Sequence, residues 1–346
     1  MNRVAIVGGG LAGVYAAWRL HQAGMPFDLY EARSRLGGRI LSTPGSGLDL
    51  GPTWFWPAFQ PRITRLARQL GLEVFRQHEQ GDALFELAPG QLRRHAGQLS
   101  ETPGWRFPQG TIGLIEALAA ALPEKAIHHG TVVTAMTRQD AQVLMHGIDG
   151  DALGSAQAVW LALPPRLMPG IAMNPPLPER ARERLAAVPT WMAGQAKYVA
   201  RYATPFWRAQ GLSGDAFSRV GPLGELHDAC NASHAALFGF FGIDAATRAS
   251  WPAERLREAC RAQLGRLFGP MAAEPLEDWI QDWADEPFTA TPPDRQASGG
   301  HRQFVLDDLA LGEWTGVLRL VGSEMDTTQG GYLEGALAAV DRVLGD

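Results

Sequence analysis

The feature that most constrains this chain is a glycine-rich turn close to its first residue, in the stretch RVAIVGGGLAGVYAAWRLHQAG. Residues 4–7 are apolar and predict a short buried strand, and residues 11–23 predict a helix. Between them Gly8, Gly10 and Gly13 match the pattern G-x-G-x-x-G. Such glycines permit a tight turn, a close approach of the backbone to a diphosphate, and close packing of helix against strand. The pattern predicts a dinucleotide-binding unit.

A second predicted strand, FDLYEA, contains Glu31, which follows Gly13 by 18 positions (31 − 13). An acidic residue at about this spacing hydrogen-bonds the ribose hydroxyls of a bound dinucleotide. Strand, turn, helix and acid in this order favour dinucleotide binding over a glycine turn without a ligand. By themselves they leave both NAD and FAD open.

The next stretch, EARSRLGGRILSTPGSGLDLGPTWFW, contains a glycine pair followed by Arg39, a planar cation suited to phosphate. Its pattern, E-A-x4-G-G-R followed by D-L-G, resembles that of the flavin-dependent amine oxidase superfamily. This superfamily includes monoamine oxidases, polyamine oxidases, L-amino-acid oxidases and protoporphyrinogen oxidase.

Near the other end of the chain, GSEMDTTQGGYLEGAL resembles the second flavin-binding segment of the same superfamily, G-T-E-xn-G-Y-x-E-G-A. The resemblance implies that a helix starting near residues 330–333 points its backbone amides at the pyrimidine edge of the flavin ring. Negative charge develops there on reduction, and a helix N-terminus stabilises an anion. Because the N-terminal and C-terminal flavin segments occur in the order expected for this superfamily, a flavin-binding helix is favoured here over a surface helix without a ligand.

The resemblance implies an α/β fold of the GR2 type, a Rossmann-like FAD-binding domain with an inserted α+β substrate domain built on an antiparallel sheet. The FAD-binding domain is expected in residues 1–55, 106–165 and 299–346, and the substrate domain in residues 56–105 and 166–298.

The resemblance also implies which residues contact FAD. They are Gly8, Gly10, Leu11, Ala12, Gly13, Glu31, Ala32, Gly38, Arg39, Gly51, Pro52, Thr53, Trp54, Val133, Gly322, Ser323, Glu324, Gly331 and Tyr332.

Two residues carry the expected chemistry. The segment around Lys197 resembles the monoamine oxidase stretch in which a strand lysine holds a water beside flavin N5, and Tyr332 corresponds to one wall of an aromatic cage around the amine. For the second wall the stretch ASGGHRQF offers His301, Arg302 and Phe304. It contains no cysteine that could bond the flavin, so noncovalent FAD is expected.

Two further predictions concern side chains near such a site. The run Trp54–Phe55–Trp56 and Trp191 could line the pocket, although tryptophans lie more often in the core. His227 and Asp228 are adjacent on a predicted strand, so they should face opposite sides and form no catalytic dyad.

Composition excludes several classes of function. The 346 residues carry a formal charge of −5 without a basic run, so no nucleic-acid partner is expected. Two cysteines, Cys230 and Cys260, form neither a disulfide framework nor a metal motif. No apolar stretch approaches the roughly 18 residues of a membrane span, and residue 1 is followed by a strand rather than a signal peptide. A cytoplasmic protein is expected.

The resulting hypothesis is an FAD-dependent amine oxidase. The flavin would take a hydride from the carbon next to nitrogen, and O2 would be the electron acceptor, giving imine or aldehyde and hydrogen peroxide. Two alternatives remain: an FAD-dependent desaturase or dehydrogenase acting on C–C bonds, and a non-catalytic flavoprotein that binds or senses redox state.

Overall fold

The computed structural model describes residues 3–97, 101–296 and 309–345. Its helices are α1 (Leu11–Gln22), α2 (Pro61–Gln69), α3 (Ile112–Ala119), α4 (Glu179–Ala187), α5 (Phe206–Ala209), α6 (Ala245–Ala249), α7 (Ala253–Phe268) and α8 (Leu333–Leu344). Its strands are β1 (Val4–Val7), β2 (Phe27–Tyr30), β3 (Phe75–Arg76), β4 (Asp82–Glu86), β5 (Leu92–His95), β6 (Trp105–Arg106), β7 (Ile127–His128), β8 (Ala135–Gln139), β9 (Gln142–His146), β10 (Ala152–Ala156), β11 (Ala158–Leu161), β12 (Ala172–Asn174), β13 (Ala196–Tyr202), β14 (Leu212–Ser218), β15 (Leu223–Asp228), β16 (Ala235–Phe241), β17 (Glu277–Asp282) and β18 (Leu318–Leu320).

A five-stranded parallel sheet in the order β18-β11-β1-β2-β7 forms the first layer. Every residue of β1 is buried, as expected for a strand covered on both faces by other elements. The strand and helix predicted around the glycine turn are confirmed, and α1 ends at Gln22. The five strands come from both ends of the chain and from its middle, whereas the exact division into domains stays a prediction.

The carboxyl edge of this sheet is a close-packed row of backbone that only glycine permits. A Cβ on Gly8, whose φ is +104°, would lie 2.7 Å from the carbonyl oxygen of Ala162, and one on Gly322 would lie 2.5 Å from that of Leu163. A Cβ on Gly13 would lie 1.8 Å from the carbonyl oxygen of Gly8. The backbone segments at the ends of β1, β11 and β18 therefore lie in direct contact at one edge.

A four-stranded sheet, β10-β9-β8-β12, packs on the parallel sheet. Strands β8 and β9 pair as an antiparallel hairpin within this sheet. Its inward side chains, among them Met136 and Met145, join Val7 and Tyr30 in one apolar cluster. This packing holds the segment around Val133 close to the carboxyl edge of β1 and β2.

The third sheet has seven strands in the order β17-β13-β16-β15-β14-β4-β5. It is antiparallel as expected, except that β4 and β14 run parallel. The direction of that pair depends on a distant crossover, which local sequence patterns do not encode. Helix α7 covers one face, where Cys260 is fully buried among apolar residues.

The last helix is fixed to the first two by buried acids. The Glu334 carboxylate accepts the backbone N–H groups of Arg62 and Ile63, both at 3.0 Å, at the start of α2. Asp341 accepts a hydrogen bond of 2.9 Å from the hydroxyl of Tyr15 in α1. These contacts hold the last helix against α1 and α2.

Substitution of one α1 glycine tests the close packing. Gly13→Ala should lower the free energy of unfolding by roughly 1–3 kcal/mol or more, because its methyl group collides with backbone that cannot move aside. The matched variant Gly113→Ala lies in α3, where the nearest atom is 3.8 Å from the added carbon. It should be neutral or stabilise by up to about 1 kcal/mol. Urea denaturation measures both, and equal effects would contradict the proposed packing role.

Candidate active site

A cavity of about 740 Å³ begins at the carboxyl edge of the parallel sheet and extends to one face of the seven-stranded sheet. Open α/β sheets bind ligands at this edge. Every residue that was expected to contact FAD or to carry the chemistry lines the cavity except Gly13, which packs against Gly8. The predicted residues on the wall are Gly8, Gly10, Leu11, Ala12, Glu31, Ala32, Gly38, Arg39, Gly51, Pro52, Thr53, Trp54, Val133, Lys197, Gly322, Ser323, Glu324, Gly331 and Tyr332.

Glu31 lies at the end of β2 and is 3% exposed. One carboxylate oxygen accepts the backbone N–H of Gly9 at 2.6 Å, and the other accepts that of Arg33 at 2.8 Å. A carboxylate that accepts two backbone N–H groups holds the segments that carry them in place. Glu31 therefore joins the glycine turn to the end of the neighbouring strand.

The glycine pair Gly37–Gly38 contacts the glycine turn at Gly10 through backbone atoms. A Cβ on Gly38, whose φ is +58°, would lie 3.1 Å from the Cα of Gly10. Gly10 and Gly37 also form a β-bridge. The cradle formed by these glycines carries no side chains, so a diphosphate can approach the backbone amides directly.

The guanidinium of Arg39 joins three distant segments. It donates to the carbonyl oxygen of Trp191 at 2.8 Å, to the Glu324 carboxylate at 2.8 Å and to the hydroxyl of Ser323 at 3.3 Å. The sequence suggested phosphate as its partner. In the structure its charge is already paired with Glu324. Contact between Arg39 and phosphate therefore stays a prediction, and it would require the guanidinium to bind phosphate and Glu324 at the same time.

Lys197 is 2% exposed although it carries an amine. Its Nζ donates to the carbonyl oxygen of Gly51 at 3.0 Å and also to the hydroxyl of Thr53. The ring centroid of Phe238 lies 4.0 Å from the same nitrogen. These contacts hold the amine at the wall of the cavity.

Two other buried charged groups act on Lys197. Burial lowers the pKa of Lys197 to about 7, although the negative charge of Asp49 acts in the opposite direction. Burial raises the pKa of Asp49, whereas the positive charges of Lys197 and Arg106 oppose that rise. Asp49 accepts the backbone N–H of Thr111 at 2.7 Å through one oxygen. Its other oxygen has no hydrogen-bond partner among the described residues.

Aromatic residues form the wall near the start of α8. The rings of Tyr332 and Trp191 lie 6.5 Å apart at 43°. Gly331 makes this pairing possible, since a Cβ there would lie 2.6 Å from the Cβ of Trp191. The second wall predicted from His301, Arg302 and Phe304 falls outside the described residues.

The predicted aromatic run Trp54–Phe55–Trp56 divides between two environments. Trp54 and Trp56 line the cavity. Phe55 does not: it is 1% exposed in the apolar core and stacks on Phe107 with centroids 5.2 Å apart. Alternation along an extended segment explains the difference, because successive side chains point to opposite faces.

His227 and Asp228 face opposite sides of β15, as predicted. Asp228 pairs with Arg208 at 2.8 Å, whereas His227 lies between Asp215 and Glu225, with 2.8 Å to each carboxylate. Glu225 lines the cavity and was not predicted. The spacing of two between Glu225 and His227 on a predicted strand already places both on one face, and this signal could have identified it.

The glycine turn, the strand-end acid and a cavity at the carboxyl edge of a parallel sheet define a dinucleotide-binding oxidoreductase fold. The profile of the NAD(P)-binding Rossmann-like domain matches residues 6–70, and that of the flavin containing amine oxidoreductases matches residues 92–343. The chain belongs to the flavin-containing amine oxidoreductase family.

Several curated relatives match nearly the whole chain. Putative flavin-containing monoamine oxidase AofH of Mycobacterium tuberculosis is 25% identical, over 98% of this chain and 95% of the relative. Human amine oxidase [flavin-containing] B is 23% identical, over 98% and 84%. Putrescine oxidase of Kocuria rosea is 23% identical, over 83% of each chain.

Solved structures share the fold. Wild-type putrescine oxidase bound to putrescine superposes with a TM-score of 0.81 at 21% identity, covering 100% of this chain and 98% of the other. Cyclohexylamine oxidase from Brevibacterium oxydans IH-35A gives a TM-score of 0.81 at 20% identity, with 100% of both chains covered.

The protein is an FAD-dependent oxidoreductase. The glycine cradle and the cavity fit a dinucleotide, and FAD is held without a covalent bond. Both cysteines, Cys230 and Cys260, are buried outside the cavity lining.

None of the helices in the described ranges has the length and apolar character of a membrane span. Those same ranges contain no cluster of acidic, histidine or cysteine side chains that could hold a metal ion.

A double-mutant cycle tests the coupling between Lys197 and Asp49. Lys197→Met and Asp49→Asn should each destabilise the protein, because each leaves the other buried charge less compensated. The double variant should lose less unfolding free energy than the sum of the losses in the two single variants, by roughly 0.5–3 kcal/mol. Chemical denaturation at neutral pH measures the free energies. Lys197→Met combined with Asp28→Asn, on β2, should be additive, and additivity in the first cycle would contradict the coupling.

Proposed function

We propose that the protein oxidises the C–N bond of an amine with O2 as the electron acceptor. The amine loses a hydride equivalent from its α-carbon and a proton from nitrogen. Oxygen takes up the two electrons and two protons as hydrogen peroxide, and water converts the imine to an aldehyde and an amine or ammonia. The observation that carries the proposal is the buried amine of Lys197 in the same cavity as the Tyr332–Trp191 pair and the glycine cradle.

We assign the cofactor contacts as follows. The glycine turn at Gly8 and Gly10 would take the diphosphate, Glu31 the ribose hydroxyls, and the backbone at Val133 the adenine. The N-terminus of α8 would face the pyrimidine edge of the flavin ring, where its dipole favours negative charge. When bound, FAD supplies a two-electron acceptor for the hydride equivalent.

Tyr332 and Trp191 would flank the amine. Aromatic faces attract a cationic amine before it loses its proton and leave little room for water around the reacting carbon. Gly331 supports this role, because it lets the Trp191 side chain pack against the start of α8. Such fixed rings also orient the C–H bond for transfer.

Lys197 would hold a water molecule at the wall of the cavity. Its position is fixed by Gly51 and Thr53, which both accept hydrogen bonds from Nζ. A lysine whose pKa burial lowers to about 7 can exchange a proton with water at neutral pH. Proton exchange of this kind serves imine hydrolysis and the protonation of reduced oxygen.

The relatives support the reaction class. The names of the curated matches from Mycobacterium tuberculosis, human and Kocuria rosea describe flavin-containing amine oxidases or a putrescine oxidase. The activities in these names belong to the relatives themselves. At 23–25% identity they support amine oxidation by this chain but do not specify its substrate.

The decisive experiment offers a panel of amines to the purified holoenzyme. We expect anaerobic amine to bleach the flavin absorption band, and aerobic amine to release hydrogen peroxide in equal amount to the aldehyde. An unbleached flavin with every amine would overturn the proposal. Products two hydrogen atoms lighter from an unsaturated hydrocarbon substrate would instead favour C–C desaturation.

Lys197→Met should slow turnover or flavin reoxidation markedly, by roughly ten- to ten-thousandfold if Lys197 moves protons in the rate-limiting step. The chain's other lysine, Lys125, is exposed on the surface and provides the matched control. Stopped-flow kinetics of flavin reduction and reoxidation distinguishes the two half-reactions. Unchanged rates in Lys197→Met would remove this residue from the mechanism.

Glu31→Gln should weaken FAD binding by roughly tenfold or more, since a hydrogen bond to a charged group is replaced by a neutral one. Asp28→Asn removes an acid from the same strand, where it pairs with Arg3 outside the cavity, and should leave FAD affinity unchanged. Titration of apoprotein with FAD, followed by fluorescence, measures both. Equal affinities for the two variants would exclude Glu31 from the cofactor site.

A further inference from the structure

The cavity has a second functional wall, formed by three neighbouring strands of the seven-stranded sheet. Phe240 in β16 is paired with Lys197 in β13 on one side and with Glu225 in β15 on the other. Paired residues on adjacent strands point to the same face, and all three line the cavity. Glu225 therefore lies two strands from Lys197, at a backbone separation of roughly 10 Å.

Glu225 differs from the other acids of the cavity wall. The side chains of Glu31 and Glu324 are 4% and 5% exposed, the first bonded to backbone amides and the second paired with Arg39. The side chain of Glu225 is 47% exposed. Of the three cavity carboxylates in the described part of the chain, it is the one most open to a ligand.

His227 fixes the position and the charge of Glu225. Its Nδ1 lies 2.8 Å from Asp215, and its Nε2 lies 2.8 Å from Glu225. A neutral imidazole has one N–H and could satisfy only one carboxylate, whereas a protonated one donates to both. The two carboxylates and one imidazolium then sum to a single negative charge at the cavity wall.

The surroundings of His227 support this protonation state. Burial works against a charged imidazole, but the hydrogen bonds to Asp215 and Glu225 outweigh burial and raise the pKa of His227. The hydrogen bond from His227 in turn lowers the pKa of Glu225 against the effect of burial. The Trp54 ring system packs at 89° to the imidazole, with centroids 4.9 Å apart.

We propose that Glu225, positioned by His227, binds a second cationic group at the far end of the substrate, so that the preferred substrates are short diamines. This inference rests on the proposed amine oxidase activity. The reacting amine would lie between Tyr332 and Trp191, the alkyl chain would pass Phe240, and the distal ammonium would meet the carboxylate. Aromatic and apolar walls between two polar ends suit an alkyl chain with a charge at one end.

The test compares putrescine with butylamine, which has the same carbon chain but lacks the second amine. We expect the wild-type enzyme to have the lower KM for putrescine. Glu225→Gln should raise that KM roughly ten- to hundredfold, with a smaller change in kcat, because it removes a charge-assisted contact made before and during reaction. The KM for butylamine should stay within about threefold, since that substrate makes no such contact.

Glu277→Gln is the matched control. Glu277 lies on the edge strand of the same sheet, pairs with Arg201 and does not line the cavity, so both substrates should retain their wild-type KM. Flavin content and thermal denaturation of each variant verify folding. As a measurement independent of turnover, calorimetric binding of a short alkane bis(trimethylammonium) should weaken in Glu225→Gln and not in Glu277→Gln.

The outcomes separate this inference from the proposed function. If no amine of the panel reduces the flavin, the proposed amine oxidation itself fails; if other amines reduce it but putrescine does not, only the subsite at Glu225 is refuted. If both amines are oxidised but Glu225→Gln leaves the KM for putrescine and the binding of the bis-ammonium ion unchanged, only the subsite at Glu225 is refuted. Equal losses for putrescine and butylamine would assign Glu225 a general structural role and would also refute the subsite.

Discussion

The close contact of bare backbone at the carboxyl edge of the parallel sheet is the constraint on which the site depends. The ends of β1, β11 and β18 lie so close that a methyl group at Gly8 or Gly322 would meet a carbonyl oxygen at 2.7 or 2.5 Å. Since the strands come from opposite ends of the chain and from its middle, the edge forms only when the whole fold is assembled. The cavity also forms only in the complete fold, because this edge is one of its walls.

Buried and half-buried charges connect this edge to the rest of the protein. Arg39 ties the second glycine segment to Trp191 and to Glu324, three stretches of chain that have no sequence proximity. Lys197 reaches from the seven-stranded sheet to Gly51 and Thr53 in the N-terminal segment. Breaking one partner of a buried, hydrogen-bonded charge is costly. The two sheets are thereby held in the arrangement that shapes the cavity between them.

The acids of the cavity wall differ in their hydrogen-bond partners and in their exposure. Glu31 accepts backbone amides and Glu324 pairs with Arg39, so both support the structure of the wall in addition to any contact with the cofactor. Glu225 is held from one side by His227 and open on the other. A carboxylate in this situation can exchange water for a cationic ligand. In the subsite that we propose, substrate selection would therefore depend on the seven-stranded sheet rather than on the glycine cradle.

The sequence by itself determined the strand, turn and helix at Gly8–Gly13, the acid at Glu31, the last helix near Tyr332 and the family, because each depends on spacing within one short segment. Only the tertiary structure decided that Trp191 meets Tyr332, that β4 runs parallel to β14, and that Lys197, Phe240 and Glu225 share one row. Pairing and register between distant strands follow from the packing of the complete chain. A local pattern specifies which face a residue occupies, and the assembled fold specifies what it faces.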